Sequence, residues 1–484
     1  MTRSGSSANL STGLSSPVIF GAGLLLLISA PVIRGGNRHV ALLMLEWLAL
    51  LLLWLMALRT LLPASASALP AQHDDAPFLS AEPGAIAGVS RTIWVLALSP
   101  LWFGLLQLIP VPVAFWAALP GRELYLQGLA VVNASPAGFR PLTLTPDATW
   151  ASVLAGIPLS AAFMLAFASS QRQLRVFVWA LVLFALVQAV MGVLQLGRVG
   201  DLSFGASLGD RAIGTFANPN HFASYITMTI PLAILLLRQA IAQPRQRRRD
   251  GVRRLPTGAW WGLVLFLLLC GVLASGSRAG TITCLVVALL AVVLLPTQRN
   301  HSAGRRWGLL AAAALLVMVV VSVGVNLLFA RFAAGPANYL DNDRGLMLVS
   351  TWDAAMAFWP FGSGLGSFAQ VYPRFQPAGV KGFAPHAHSD FVQLLMEGGA
   401  LTAVLGLLVG WLLVRQVRVL VRQLRDSPAD KAALLQASCG LGFLAVFLHS
   451  WFDFNLRIPA NAILAVFLLG VFLRPSCPRS SPSS

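Results

Sequence analysis

Runs of about 20 apolar residues recur along the whole of this chain, each long enough to cross a bilayer as a helix. That recurrence restricts the fold more than any single motif does. It predicts an all-α, polytopic transmembrane helix bundle rather than a string of soluble domains. The apolar cores lie near 17–33, 40–62, 92–109, 148–169, 175–197, 220–238, 259–275, 281–296, 307–329, 391–414, 434–452 and 460–473. By length alone they make about twelve spans. Composition agrees: of 484 residues, 57% are hydrophobic and only 11% charged. A soluble domain of this size carries about twice that charge. The first run follows Arg3 and has small residues near Ala30, as a signal peptide would. A second run follows at once, so a signal anchor is expected.

The net charge of +17 sits mainly between the runs. Arg245, Arg247, Arg248, Arg249, Arg253 and Arg254 fall in one stretch, and Arg415, Arg418, Arg422, Arg425 and Lys431 in another. Such excess marks cytoplasmic loops and orients the chain, so no nucleic-acid partner is expected. If those two stretches are cytoplasmic, 298–306 with Arg299, Arg305 and Arg306 is as well, and so are both termini. The loops 110–147, 198–219 and 330–390 then face the other side. Arg34 and Arg38 run against this scheme, as does the weakly charged 63–91. The chain divides into N-terminal spans and linker (1–90), a membrane core with arginine motifs (91–329), a long loop (330–390), and C-terminal spans and tail (391–484). The cysteines Cys270, Cys284, Cys439 and Cys477 form no C-x-x-C pair, so neither a zinc site nor a disulfide framework is indicated.

The loop 330–390 carries Trp352, Phe358, Trp359, Phe361, Phe368, Tyr372 and Phe375, which argue for order. Short amphipathic helices on the membrane surface are expected there. Within it, Gly362-Ser363-Gly364-Leu365-Gly366 has neither the preceding strand nor the following lysine of a phosphate loop. It reads as a turn between two surface helices.

A small set of ionisable residues lies at helix mouths. Arg211 precedes Asn218-Pro219-Asn220-His221, which suits a helix start, where N–H groups and the dipole favour anions. Asn220 is a further candidate in that motif. Arg278 sits in Ser275-Gly276-Ser277-Arg278-Ala279-Gly280, a tight turn on the face poor in positive charge. Both arginines also read as interfacial side chains that reach headgroups. His386 and His388 lie in Pro385-His386-Ala387-His388-Ser389-Asp390, just before a span. A neutral imidazole can take a proton from a hydroxyl near neutral pH. Metal binding by the two histidines with Asp390 is disfavoured, because side chains two apart align only in an extended strand. Asp390, Gln393 and Glu397 make one polar stripe on the next helix, facing the bundle or a wet cavity. His449, Asp453 and Arg457 recur at i, i+4 and i+8 and read first as a self-satisfied ladder, second as groups that position substrate.

A histidine and two arginines at one water-facing surface suggest chemistry on a lipid-linked anion. A sugar on a lipid diphosphate carries its own leaving group. Arginines offer bidentate, permanent charge to the phosphates and stabilise the bond-breaking transition state.

At these motifs the chain resembles the O-antigen ligase and O-antigen polymerase superfamily. The resemblance rests on Arg211 to His221, on Ser275 to Gly280, on His388-Ser389 with Gly399 and Thr402 spaced behind it, and on Pro141-Leu142-Thr143-Leu144-Thr145-Pro146-Asp147. It covers roughly residues 90–470. It implies a metal-independent membrane glycosyltransferase of the GT-C type with no cofactor, working at the periplasmic face of the bacterial inner membrane. The implied donor is an undecaprenyl-diphosphate-linked glycan and the implied acceptor is lipid A–core or another glycan. By that pattern Arg211 and Arg278 contact the diphosphate, His388 is the base, and Arg344 in Asp341-Asn342-Asp343-Arg344 belongs near the site. The resemblance leans to a ligase over a polymerase; glycosylation of proteins is the third possibility. A lipid or glycan transporter would instead carry charges mid-span and show repeat symmetry, neither of which the sequence displays.

Overall fold

The computed structural model describes residues 16–61, 90–131, 138–197, 210–242, 257–295 and 339–475. The expected span at 307–329, the arginines of 243–256 and 296–306, and Cys477 lie outside the described residues. In chain order the helices are α1 (Ser16–Ser29), α2 (His39–Leu61), α3 (Arg91–Ala97), α4 (Ser99–Gln107), α5 (Val113–Ala117), α6 (Glu123–Val131), α7 (Pro146–Ala168), α8 (Gln171–Leu196), α9 (Pro219–Ala242), α10 (Thr257–Ala274), α11 (Arg278–Leu294), α12 (Tyr339–Ala357), α13 (Phe368–Val371), α14 (Asp390–Asp426), α15 (Lys431–His449) and α16 (Pro459–Phe472). Two three-residue strands, β1 (Pro110–Pro112) and β2 (Phe139–Pro141), pair antiparallel with Val111 opposite Arg140.

Among the described residues, seven helices are long and apolar enough to cross a membrane: α2, α7, α8, α9, α10, α14 and α15. Three shorter apolar helices, Pro17–Ser29, Arg278–Leu294 and Pro459–Phe472, accompany them. The stretch 92–109, read as one span, is instead α3 and α4. Pro100 starts the second helix, where its missing N–H costs nothing, but it cannot continue the first. The helix starts elsewhere follow local chemistry. Ser170 and Gln173 form a reciprocal capping box on α8, and the Asp430 carboxylate accepts from the amides of Ala432 and Ala433.

α9 is the axis of the bundle. It packs on α8, α10, α11, α15 and α16, and 67% of its apolar window is buried. α14 is the opposite case, with 11% buried, so most of its length lies at the rim. The loop 339–389 is more ordered than short surface pieces would be. α12 runs for 19 residues against α14, and a core of Met347, Ala354, Phe358, Phe368, Tyr372 and Met396 sits beneath it. The glycine run is a turn between helices, as expected, but a buried one. Gly364 has φ 113°, and a Cβ there would fall 1.8 Å from Thr143 Oγ1. Its amide donates to the carbonyl of Glu397 at 2.9 Å, so the turn docks the loop onto α14.

Candidate active site

The alternation of helices brings the starts of α9, α11, α14 and α16 together with the ends of α8, α10 and α15. The Arg211 loop is shaped by α8. Gln195 Oε1 accepts from the amides of Ile213 and Gly214 at 3.1 and 2.9 Å, and Gln188 Oε1 accepts from Thr215 N at 2.9 Å. The loop is stitched to the neighbouring arginine motif. Ala212 N donates to Ala274 O at 3.0 Å, and Arg211 Nε donates to Ser275 O at 2.7 Å. Three residues on, Arg278 opens α11, capped by Ser277, whose hydroxyl accepts from Gly280 N at 3.1 Å. Two motifs separated by more than sixty residues thus form one basic edge.

Asp453 is the hub of the site. It is 1% exposed, in the turn between α15 and α16. Its Oδ1 lies 3.1 Å from His388 Nδ1 and 3.9 Å from His221 Nε2, and accepts from Phe454 N at 2.9 Å. Its Oδ2 accepts from Asn220 Nδ2 at 2.6 Å. Asn220 Oδ1 in turn accepts from Arg211 Nη2 at 3.1 Å. Burial alone would raise the Asp453 carboxyl, but the bond to His388 and the nearby His221 imidazole outweigh it and hold the group well below the usual carboxylate range. An ionised carboxylate only accepts, so His388 carries its hydrogen on Nδ1 and leaves Nε2 as the basic nitrogen. His388 has φ 53°, rare for a residue with a side chain, and remains 25% exposed. Its imidazole is thus fixed on one side and open on the other.

Three imidazoles ring Phe454. The centroids of His386, His221 and His388 lie 4.4, 4.7 and 5.0 Å from it. Burial pushes the His386 imidazole down to about 3, with Arg457, His221 and His388 adding to the effect, so it is neutral at physiological pH. Among the described residues, no group of three or more His, Cys, Asp or Glu side chains is arranged to hold a metal ion.

The polar stripe of α14 is real and buried: Asp390, Gln393 and Glu397 are 0, 2 and 0% exposed. Gln393 Nε2 donates to Glu397 Oε1 at 2.9 Å, and Arg457 Nη2 meets Glu397 Oε2 at 2.6 Å. Asp390 Oδ2 accepts from Leu456 N at 2.8 Å, and its amide donates to Ser450 O at 3.0 Å. The ladder read from His449, Asp453 and Arg457 does not form. α15 ends at His449, so positions i+4 and i+8 leave the helix and lose their common face. Asp453 turns to His388 and Arg457 to Glu397, each across the chain. Arg344 lies half-buried on α12, close enough to His449 to act on it electrostatically.

Residues 263–409 match a family model described as O-antigen ligase. That stretch is thus similar to the O-antigen ligase family. It spans the Arg278 turn and the His388 segment, and leaves Arg211, Asn220, His221 and Asp453 outside. The family's work is glycan transfer, with a lipid-linked glycan and an acceptor as partners. With seven long apolar helices among the described residues, the chain is a membrane protein. No match was found among curated proteins or among solved structures.

The sequence reading missed His221, Phe454, Gln188 and Gln195 as site residues. The glutamines had a signal, since they stand seven apart, two turns, on one face of an otherwise apolar helix. His221 stood beside Asn220 in a motif already singled out. Phe454 had none, because a phenylalanine in a hydrophobic chain is ordinary.

Proposed function

We propose that this chain transfers a glycan from an undecaprenyl-diphosphate carrier to an acceptor hydroxyl at the periplasmic face of the bacterial inner membrane, with lipid A–core as acceptor. The observation that carries the proposal is the unbroken run of contacts from Arg211 through Asn220 and Asp453 to His388. It joins a permanent cation, suited to a diphosphate, to a base suited to a sugar hydroxyl. In the reaction, His388 Nε2 takes the acceptor proton as the acceptor oxygen bonds to the sugar C1. The C1–O bond to the diphosphate breaks, and its electron pair leaves with undecaprenyl diphosphate. Arg211 and Arg278 neutralise the charge that grows on the departing phosphate. No cofactor enters this scheme. Arg344 and Arg457 border the site without an assigned step.

The ligase reading is supported by the family match and by the glycine spaced behind His388. Gly399 has φ 57° and ψ −139° inside α14, and a Cβ there would fall 2.1 Å from Pro360 O. The spaced glycine is therefore the point where α14 bends to receive the loop that frames the site. The test is turnover by purified protein given a lipid-linked glycan, with and without lipid A–core. Product formed only with core establishes a ligase. A ladder of longer lipid-linked chains without core makes the enzyme a polymerase instead, and no turnover with either sinks the proposed donor–acceptor pair.

A further inference from the structure

We infer that Asn220 is a positioning residue that couples occupancy of the Arg211 anion site to the proton on His388. The inference rests on the donor reading above and goes beyond it, because it assigns a linkage between two sites rather than a substrate. Asn220 is the second residue of α9, 9% exposed, with its own amide held by Asn218 Oδ1 at 2.8 Å. Its side chain can sit only one way. Asp453 accepts and Arg211 donates, so Oδ1 must face the guanidinium and Nδ2 the carboxylate. Turned over, both contacts would be repulsive. Cation, amide dipole and anion therefore stand in line, each polarising the next.

An anion bound to Arg211 compensates its charge. The pull of Arg211 through Asn220 on Asp453 weakens, and the carboxylate is freer to stabilise a protonated His388. Anion binding and protonation then favour one another, and by linkage the effect is reciprocal. This matters for the reaction. The diphosphate gains charge and the base gains its proton in the same transition state. A coupling between the two acts there and not in the ground state, where it would add nothing to the rate.

The other titratable groups around the pair are His221, His386, His449 and Asp390, with the cations Arg344 and Arg457. His386 is already neutral across the relevant range. His221 is the rival, since it shares Asp453 Oδ1.

The experiment measures binding of undecaprenyl diphosphate itself to the purified full-length protein at about pH 6 and about pH 8, the range in which imidazoles ordinarily titrate. The lipid's own titration is common to all variants, so the protein lacking both imidazoles, His221→Phe with His388→Ala, sets the baseline ratio. Wild type should favour the lower pH by about fivefold more than that baseline. Asn220→Ala should fall to the baseline while still binding through Arg278. Asn220→Ser, polar but too short to bridge, should do the same and serves if the alanine variant folds poorly. A wild-type ratio retained by both Asn220 variants overturns the coupling and leaves the donor reading standing. Loss of the ratio in His221→Phe but not in His388→Ala puts the proton on His221 and overturns the assignment. No binding to wild type at either pH overturns the donor reading and the coupling with it.

Discussion

Two of the buried carboxylates at the head of the bundle, Glu397 and Asp453, do different work. Glu397 is 0% exposed, and its carboxylate meets Arg457 at 2.6 Å and Gln393 at 2.9 Å. Its carbonyl also accepts from Gln107 at 2.9 Å, so α4, α14, the glycine turn and the 455–457 turn meet there. Asp453 is 1% exposed, and its partners are two imidazoles and an amide. A guanidinium never gives up its proton near neutral pH, so the Glu397 pair is a fixed strut. An imidazole does, so the Asp453 cluster can take part in proton transfer. The same acid group becomes scaffold or machinery according to what faces it.

The sharpest way to break the comparison is at the base. His388→Ala should lower transfer by about 10²–10⁴-fold with folding intact, the usual range for a general base. Asp453→Asn should come close to it, because the amide can turn its NH₂ toward His388 and favour the wrong tautomer. Full turnover by either variant in the reconstituted assay would remove the proposed role. At the strut the loss should instead be structural. Glu397→Ala leaves Arg457 unpaired and should cost about 3–5 kcal/mol, seen as a lower midpoint of thermal unfolding. Replacing both partners, Glu397→Leu with Arg457→Met, should recover much of that stability. If the double variant is no better than the single one, the strut account is wrong. Arg278→Lys should reduce transfer by roughly tenfold, because an ammonium keeps the charge but not the bidentate fork. The smallest effect is expected at the cap that presents Arg278, where Ser277→Ala should cost about 1 kcal/mol, readable in the same unfolding curves.

The pH dependence sharpens the same contrast. The Asp453 carboxyl is depressed in the fold, so its contribution to stability is complete above the unfolded value of about 3.9 and is lost as pH falls through the lower folded value. Acid loss of transfer at milder pH then has to come from protonating imidazole, not from discharging Asp453. His386 stays neutral in the fold down to about 3, so proton uptake by its unfolded imidazole should lower the unfolding midpoint as pH falls below about 6.5. Removing that slope with His386→Phe should leave the acid loss of transfer in place; loss of transfer that disappears with the slope would tie the activity to the scaffold instead.

Much of the helical plan was legible in the sequence, because a bilayer-length apolar run reports its own conformation. Where a proline interrupted a run, at Pro100, one apolar run became two short helices. The arginine motifs and the histidine segment were legible because few other charged residues compete for attention in so apolar a chain. The pattern at His449, Asp453 and Arg457 misled, since helical spacing has meaning only while the helix lasts, and α15 stops at His449.

The amino-acid sequence by itself determined the class of fold, the residues able to carry charge at helix ends, and the chemistry open to them. Those are local properties, set by hydropathy, capping and side-chain type. Tertiary structure alone decided which of them meet. Asp453 reaches Asn220 across 233 positions and His388 across 65, and Phe454 gathers three histidines that no spacing relates. Partners so distant in sequence are chosen by how the helices pack, which local pattern does not encode.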